Sequence, residues 1–155
     1  MKCLVYLGEH DTAWAYPYFK KLHPAMLNIL NRPYIDHLLD FLWGNGCQEV
    51  CLILAKPSPI LETRLFDSHS HKLKLSFGLA QPEDDLDHIF LKNWSFCKDT
   101  KLLVIKGFPY LAGTFGSLLE SDKKWVITEG KTRIYFINSP NTTAVNFNSI
   151  ETVSI

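Results

Sequence analysis

Short, uninterrupted apolar runs recur along this chain and narrow its fold sharply. They cover residues 3–7 (CLVYL), 50–54 (VCLIL) and 102–105 (LLVI). Runs of this length predict strands buried on both faces, as found in parallel sheets covered by helices. Residues 73–79 instead alternate apolar and polar side chains, which predicts a strand with one polar face near the edge of the sheet.

Segments with helical spacing separate the strands. The first is expected to start at Pro33, capped by Asn31 or Arg32, and to end at Gly44 and Gly46. Its apolar positions are Ile35, Leu38, Leu39 and Leu42, and its predicted polar side carries Asp36, His37 and Asp40.

The remaining elements complete an alternating pattern. Helices are expected at about residues 57–66, 83–97 and 114–119, and strands at 125–128 and 133–137 around a turn. Residues 9–30 have no clear period and predict a long ordered loop. The pattern predicts one α/β domain over residues 1–155, with a Rossmann-like, mostly parallel sheet and helices on both faces.

Composition limits the classes of partner. The chain has 155 residues, and its 16 Lys and Arg balance its 16 Asp and Glu. A neutral total argues against nucleic acid and anionic membranes as partners. No apolar stretch is long enough to span a bilayer, and the start of the chain lacks the pattern of a signal peptide. We therefore expect a cytoplasmic protein.

The cysteines and two polar clusters favour structural roles. Cys3, Cys47, Cys51 and Cys97 lie in or beside apolar runs without zinc-site spacing, so we expect buried free thiols. Residues 67–71 (DSHSH) could chelate a metal, but a solvated turn is favoured. The acidic residues 83–87 could likewise bind a divalent cation, although the dipole of a helix N-terminus explains them.

The first loop carries a more specific pattern. Residues 7–12 (LGEHDT), Pro17 and residues 26–35 (MLNILNRPYI) resemble the opening of the sugar-phosphate nucleotidyltransferases, also called nucleoside-diphosphate-sugar pyrophosphorylases. Residues 102–107 resemble the strand of that family that ends in Gly-Asp. The resemblance implies a nucleotide-diphospho-sugar transferase-like fold and a nucleotide or sugar nucleotide as ligand. The nucleotide-binding residues that it implies are Gly8, Glu9, His10, Asp11, Thr12, Lys20, Lys21 and Gly107.

Three departures from the family pattern fall on groups that carry its chemistry. Ala13 stands where the family has an arginine that stabilises pyrophosphate, and Pro24 stands where it has a phosphate-binding lysine. Phe108 replaces the aspartate that holds magnesium. Since nucleotidyl transfer depends on charge neutralisation and positioning, the resemblance implies a degenerate member, with Mg²⁺ as a cofactor only if activity survives.

Two alternatives stay open. An active enzyme with a rearranged site would use Asp11, Lys20 or Lys21, and Asp84 or Asp85. A protein-interaction domain would present an aromatic patch that includes Trp14 or Trp43, and would form a homo-oligomer or a subunit of a complex. The chain is also shorter than the family's catalytic domain, which is compatible with the N-terminal part of a longer protein.

Overall fold

A computed structural model describes residues 1–8, 22–69, 72–115, 125–129 and 132–138, together with residues 140, 145 and 147. Its main sheet has six strands in the order β5-β4-β1-β6-β8-β7. The strands are β1 (Lys2–Leu7), β4 (Glu49–Leu54), β5 (Lys74–Leu79), β6 (Leu102–Lys106), β7 (Trp125–Glu129) and β8 (Thr132–Ile137).

Four neighbouring strands of this sheet are parallel. Strand β1 lies between β4 and β6, and β5 adds to β4 as an edge strand, all in parallel register. Strand β8 then pairs antiparallel with both β6 and β7. The prediction of a mostly parallel sheet with a polar-faced edge strand is therefore confirmed.

Helices cover both faces of the sheet. On one face, α1 (Tyr34–Gly44) and α2 (Pro59–His69) bury their apolar residues against alternate residues of the strands. On the other face, α3 (Leu86–Lys92) and α4 (Trp94–Cys97) cover the residues between. The two layers account for the uninterrupted apolar runs, because each central strand buries both of its faces.

The start of α1 differs from the predicted cap. A 3-10 helix (Pro24–Met26) and a small hairpin of β2 (Asn28–Ile29) and β3 (Arg32–Pro33) precede the helix. Leu30 and Asn31 form the hairpin turn at φ of 50° and 65°, the left-handed pair that such tight turns require. Asn31 and Arg32 therefore do not cap α1. Pro33 occupies the cap position, without a side-chain hydrogen bond.

Asp36 was predicted on the polar side of α1, and this was wrong. Its side chain is 6% exposed and accepts a 2.7 Å bond from the Arg64 guanidinium of α2. Asp40, by contrast, is partly exposed and pairs with Arg32 and Lys72. The helix therefore buries a charge where Arg64 of α2 reaches it and supplies the counter-charge.

The predicted helix over residues 83–97 is two helices. Asp85 caps α3 by accepting a 2.8 Å hydrogen bond from the backbone N–H of His88, so residues 83–85 precede the helix. Asn93 ends α3, and α4 follows it directly. The acidic cluster nevertheless lies at a helix N-terminus, where the helix dipole favours it.

Several other expectations have a clear outcome. The four cysteines are buried free thiols, as predicted, and burial raises the pKa of the Cys97 thiol to about 12.

Asp67 and Ser68 belong to the last turn of α2, so the predicted solvated turn was wrong there. Thr114 and Phe115 are not helical, and residues 116–119 lie outside the described part. Within the described residues, no helix has both the length and the apolar character to cross a membrane.

Candidate functional site

The carboxyl ends of β1 and β6 define the candidate site. From β1 the chain passes to β4 and β5 on one side, and β6 then adds on the other side of β1. The strand order thus reverses between β1 and β6, and open α/β sheets bind their ligands at such a reversal. Gly8 directly follows β1 and Gly107 directly follows β6, where the backbone N–H of Gly107 donates a 3.0 Å hydrogen bond to the carbonyl of Tyr6.

Different structural features explain why glycine stands at each of the two positions at this edge. Gly107 has a φ of 99°, which a residue with a side chain rarely adopts. At Gly8 space is tight, since a Cβ atom there would lie 3.1 Å from the Tyr6 ring, which would have to shift by a few tenths of an ångström. Aromatic packing therefore occupies the side of Gly8 that faces Tyr6.

An aromatic contact holds the segment after Gly107. The hydroxyl of the buried Tyr34, at the start of α1, donates a 2.7 Å hydrogen bond to the carbonyl of Pro109. The Tyr34 ring lies 5.5 Å from the ring of Phe108, which is half-buried against the core on the α1 face. Burial raises the pKa of Tyr34 well above its usual value, so this hydroxyl stays a donor.

Tyr34→Phe is expected to destabilise the fold by about 1–3 kcal/mol, because the change leaves the Pro109 carbonyl without its donor in a largely dry site. Urea denaturation measures the loss. Tyr110→Phe is the matched control, since Tyr110 is 59% exposed and should change stability far less. Equal effects from the two variants would contradict this role of the Tyr34 hydroxyl.

Most of the predicted binding residues lie outside the described part. These are Glu9, His10, Asp11, Thr12, Lys20 and Lys21. Ala13, which stands in place of the family arginine, and Trp14 of the possible aromatic patch also lie outside it. Gly8 and Gly107 are described, and the fold brings them to the same edge of the sheet. Their role in binding stays a prediction.

Asp84 and Asp85 are engaged in local structure. Asp84 accepts 2.6 Å hydrogen bonds from Lys92 and a 2.8 Å bond from the backbone of Gln81, and its contact with Lys92 is the main cause of its lowered pKa. Asp85 caps α3. Among the described residues, no group of three or more His, Cys, Asp or Glu side chains is placed to hold a metal ion.

Two cations that the sequence did not single out also lie at this edge. Lys106 is the last residue of β6, and Arg133 is opposite it on β8. A charged residue at the carboxyl end of an otherwise apolar strand was the available signal for Lys106. Arg133 could not be found this way, because its position depends on the register between β6 and β8.

Two other surface features lie away from the carboxyl ends of β1 and β6. A shallow groove of about 670 Å³ runs along α2, lined by Pro59, Ile60, Thr63, Arg64, Asp67 and Ser68. Trp43 is 51% exposed, with the Lys72 ammonium 5.2 Å from its ring centroid.

The strand order defines a Rossmann-like α/β fold with a mostly parallel sheet. No family profile matches the sequence, and no curated protein matches it. The likeness is found among solved structures. A Bacillus anthracis protein assigned as a glucose-1-phosphate thymidylyltransferase, solved with sucrose, matches with a TM-score of 0.73 and 12% identity over 89% of this chain and 71% of its own.

Two further solved structures share the fold. HddC from Yersinia pseudotuberculosis matches with a TM-score of 0.68 and 13% identity, over 99% of this chain and 89% of its own. A UDP-glucose pyrophosphorylase complexed with UDP-glucose matches with a TM-score of 0.62 and 18% identity, over 81% of this chain and 56% of its own. Identities this low establish the fold alone.

Proposed function

We propose that this domain binds a nucleotide or sugar nucleotide at the carboxyl ends of β1 and β6 and does not catalyse metal-assisted nucleotidyl transfer. The fold supports the binding half, since it places Gly8 and Gly107 together where the order of the strands reverses. The enzyme named in one similar structure holds UDP-glucose, which suggests the class of ligand.

The packing of Phe108 is the observation that supports the second part of the proposal, the absence of metal-assisted nucleotidyl transfer. By the resemblance, this residue takes the place of the aspartate that would hold magnesium. Its ring instead packs against Tyr34 and the core of the α1 face, and the hydroxyl of Tyr34 fixes the next residue, Pro109. The described residues that directly follow β1 and β6 are Gly8, Gly107, Phe108 and Pro109, and none of these has a carboxylate. They do not fit a magnesium ion.

The lysine and the arginine that this chain lacks would act on the same step as the metal, the transfer of the nucleotidyl group. Pro24, in the place of the family lysine, begins a 3-10 helix and offers no cation to a phosphate. Ala13 offers none in the place of the arginine. Removing one group that stabilises a transition state typically costs about 10²–10³ in rate, so a loss of three should leave negligible nucleotidyl transfer.

Calorimetry with UDP-glucose, UTP, dTTP and glucose 1-phosphate, each with and without Mg²⁺, tests the proposal. We expect at least one nucleotide to bind, with a Kd that stays within about threefold when EDTA removes the metal, which is a change below 1 kcal/mol. We also expect no pyrophosphate from nucleoside triphosphate and sugar phosphate.

Each half of the proposal has its own contrary outcome. Pyrophosphate release above the rate without protein would overturn the loss of catalysis and favour the rearranged active site. Failure of every nucleotide to bind would overturn the binding role and leave the protein-interaction alternative. Light scattering would then measure whether the protein forms a homo-oligomer.

A further inference from the structure

Strand β5 forms one edge of the main sheet, and none of the described strands lies beyond it. The backbone N–H groups of Lys74 and Ala80 each donate a 2.9 Å hydrogen bond to the β4 side, to the carbonyls of Gln48 and Leu54. Because successive residues of a strand turn their backbone groups to opposite sides, residues 75, 77 and 79 direct theirs away from β4. They present a row of donors and acceptors with which another strand can pair.

The outer edge of β5 lacks the features that usually keep an edge strand from pairing with another chain. Those features are charged side chains, proline and β-bulges. Residues 75–79 (LSFGL) contain no charged residue and no proline. Their register with β4 runs without interruption, so the strand has no bulge on that side. An edge of this kind fits a strand that has a partner in solution.

An exposed apolar strip, formed by Phe66, Leu75, Phe77 and Leu79, accompanies this edge on the α1 face. Leu75 and Phe77 are half-buried against the core of that face. Leu79, which points the same way along the strand, is 52% exposed. Phe66 of α2 is 47% exposed, and its ring centroid lies 5.6 Å from that of Phe77. Grouped apolar side chains beside an open edge indicate an interaction surface.

A second copy of this chain fits the edge because the edge is complementary to itself. In an antiparallel pair centred on Phe77, Leu75 of one copy lies opposite Leu79 of the other, so every outward-facing residue of the row has a partner. A two-fold axis perpendicular to the sheet keeps both α2 helices on the same face, and the two apolar strips then meet across the axis. Parallel pairing of the two edges would put the strips on opposite faces.

The charges at the two ends of β5 favour the same orientation. Lys72 and Lys74 lie at its start, and the side chain of Lys74 is 78% exposed. Glu83 and Asp85 follow its end, and both are exposed. Antiparallel alignment brings the basic end of one copy to the acidic end of the other, whereas parallel alignment would bring like charges together. Because Lys72, Lys74 and Asp85 also have contacts within the chain, we expect these charges to set orientation more than affinity.

We propose that this protein forms a symmetric homodimer in which the two β5 strands pair antiparallel and join the two sheets into one. Strand β4 lies between this edge and β1, so the interface is apart from the carboxyl ends of β1 and β6. The inference therefore does not depend on the proposed function. An interface built on one strand and one helix face is small, and we expect a dissociation constant in the micromolar range.

Leu79→Lys is the main test, with sedimentation velocity over protein concentrations that span the micromolar region. The unmodified protein should pass from monomer to dimer. In the variant a charge lies opposite Leu75 of the partner, and we expect dimerisation to weaken at least about tenfold, equivalent to 1.4 kcal/mol. Leu91→Lys is the matched control, since Leu91 is 45% exposed on α3, and should leave the dimer intact. Urea denaturation of the monomers shows whether both variants fold.

Amide hydrogen exchange measured by NMR tests the strand pairing itself. The N–H groups of Leu75, Phe77 and Leu79 should exchange slowly only at concentrations where the dimer forms. Those of Lys74 and Ala80 should be protected at every concentration, because they donate to the β4 side within one chain. A dimer held together through helices alone would leave the first three amides unprotected.

The possible results separate this inference from the proposed function. A protein that stays monomeric throughout, or a dimer that Leu79→Lys leaves unchanged, would overturn the β5 interface, and so would a dimer in which the three outward amides stay unprotected. Assemblies that keep growing beyond two copies would contradict the closed two-fold arrangement. Calorimetry with nucleotides on Leu79→Lys is independent of these results, since we expect the monomeric variant to bind as the unmodified protein does.

Discussion

Arg64→Ala is expected to lower the free energy of unfolding by about 3 kcal/mol, the lower end of the range for removing one partner of a buried ion pair. The change deprives the Asp36 carboxylate of a cation at 2.7 Å, and that carboxylate is 6% exposed. The loss should stay at the lower end because the Arg64 side chain is 40% exposed, so water can partly replace it. Urea denaturation followed by far-UV circular dichroism measures the change.

Two controls separate charge burial from a general effect of removing a long side chain. Arg32→Ala breaks the exposed pair with Asp40 and should cost no more than about 1 kcal/mol. The double variant Asp36→Leu/Arg64→Met should recover most of the lost stability, because apolar residues of similar volume often replace a buried ion pair at no net cost. If Arg64→Ala costs no more than Arg32→Ala, the pair is not what stabilises the Asp36 carboxylate.

Residues with a strong local pattern were predictable. Strands β1, β4 and β6 coincide closely with the three apolar runs, since a strand buried on both faces leaves an uninterrupted signal. The hairpin of β7 and β8 was found from its turn residues. The edge position of β5 followed from its alternation of apolar and polar side chains.

Features set by distant residues were not predictable. Asp36 was assigned to the polar side of α1 because charge is usually solvated, yet Arg64, 28 residues away, makes its burial tolerable. The break between α3 and α4 at Asn93 was also missed, and there the contact is local: the side-chain amide of Asn93 donates a hydrogen bond to the carbonyl of Ile89, four residues earlier. Periodicity carries no information on such contacts.

The candidate site likewise has residues that the sequence could predict and residues that it could not. The resemblance identified Gly107 and Phe108, and the structure adds the reason why Phe108 packs as it does, since Tyr34 reaches it from α1. The pairing of Lys106 with Arg133 needed the antiparallel register of β6 and β8. A single sequence indicates that such strands exist and leaves their partners open.

Phe90→Ala is expected to be the most destabilising single substitution considered, with a loss of about 3–5 kcal/mol. Phe90 is fully buried on the α3 face, and its ring meets Trp94 and Phe147 edge to face, at centroid distances of 5.6 and 5.5 Å. Truncation leaves a cavity where α3, α4 and the ring of Phe147 meet. Leu91→Ala is the control on the same helix, because Leu91 is 45% exposed and should cost far less.

A double-mutant cycle tells whether Phe90 acts through Phe147 or through the sheet alone. Phe147 also packs against Tyr135 of β8, at a centroid distance of 4.9 Å, so it joins α3 to the strand that carries Arg133. We expect Phe90→Ala and Phe147→Ala to be non-additive by about 0.5–1.5 kcal/mol, the usual coupling of an aromatic pair in contact. Additive losses would mean that the two rings are independent, and the stability of the α3 face would then come from the contacts of Phe90 with the strands.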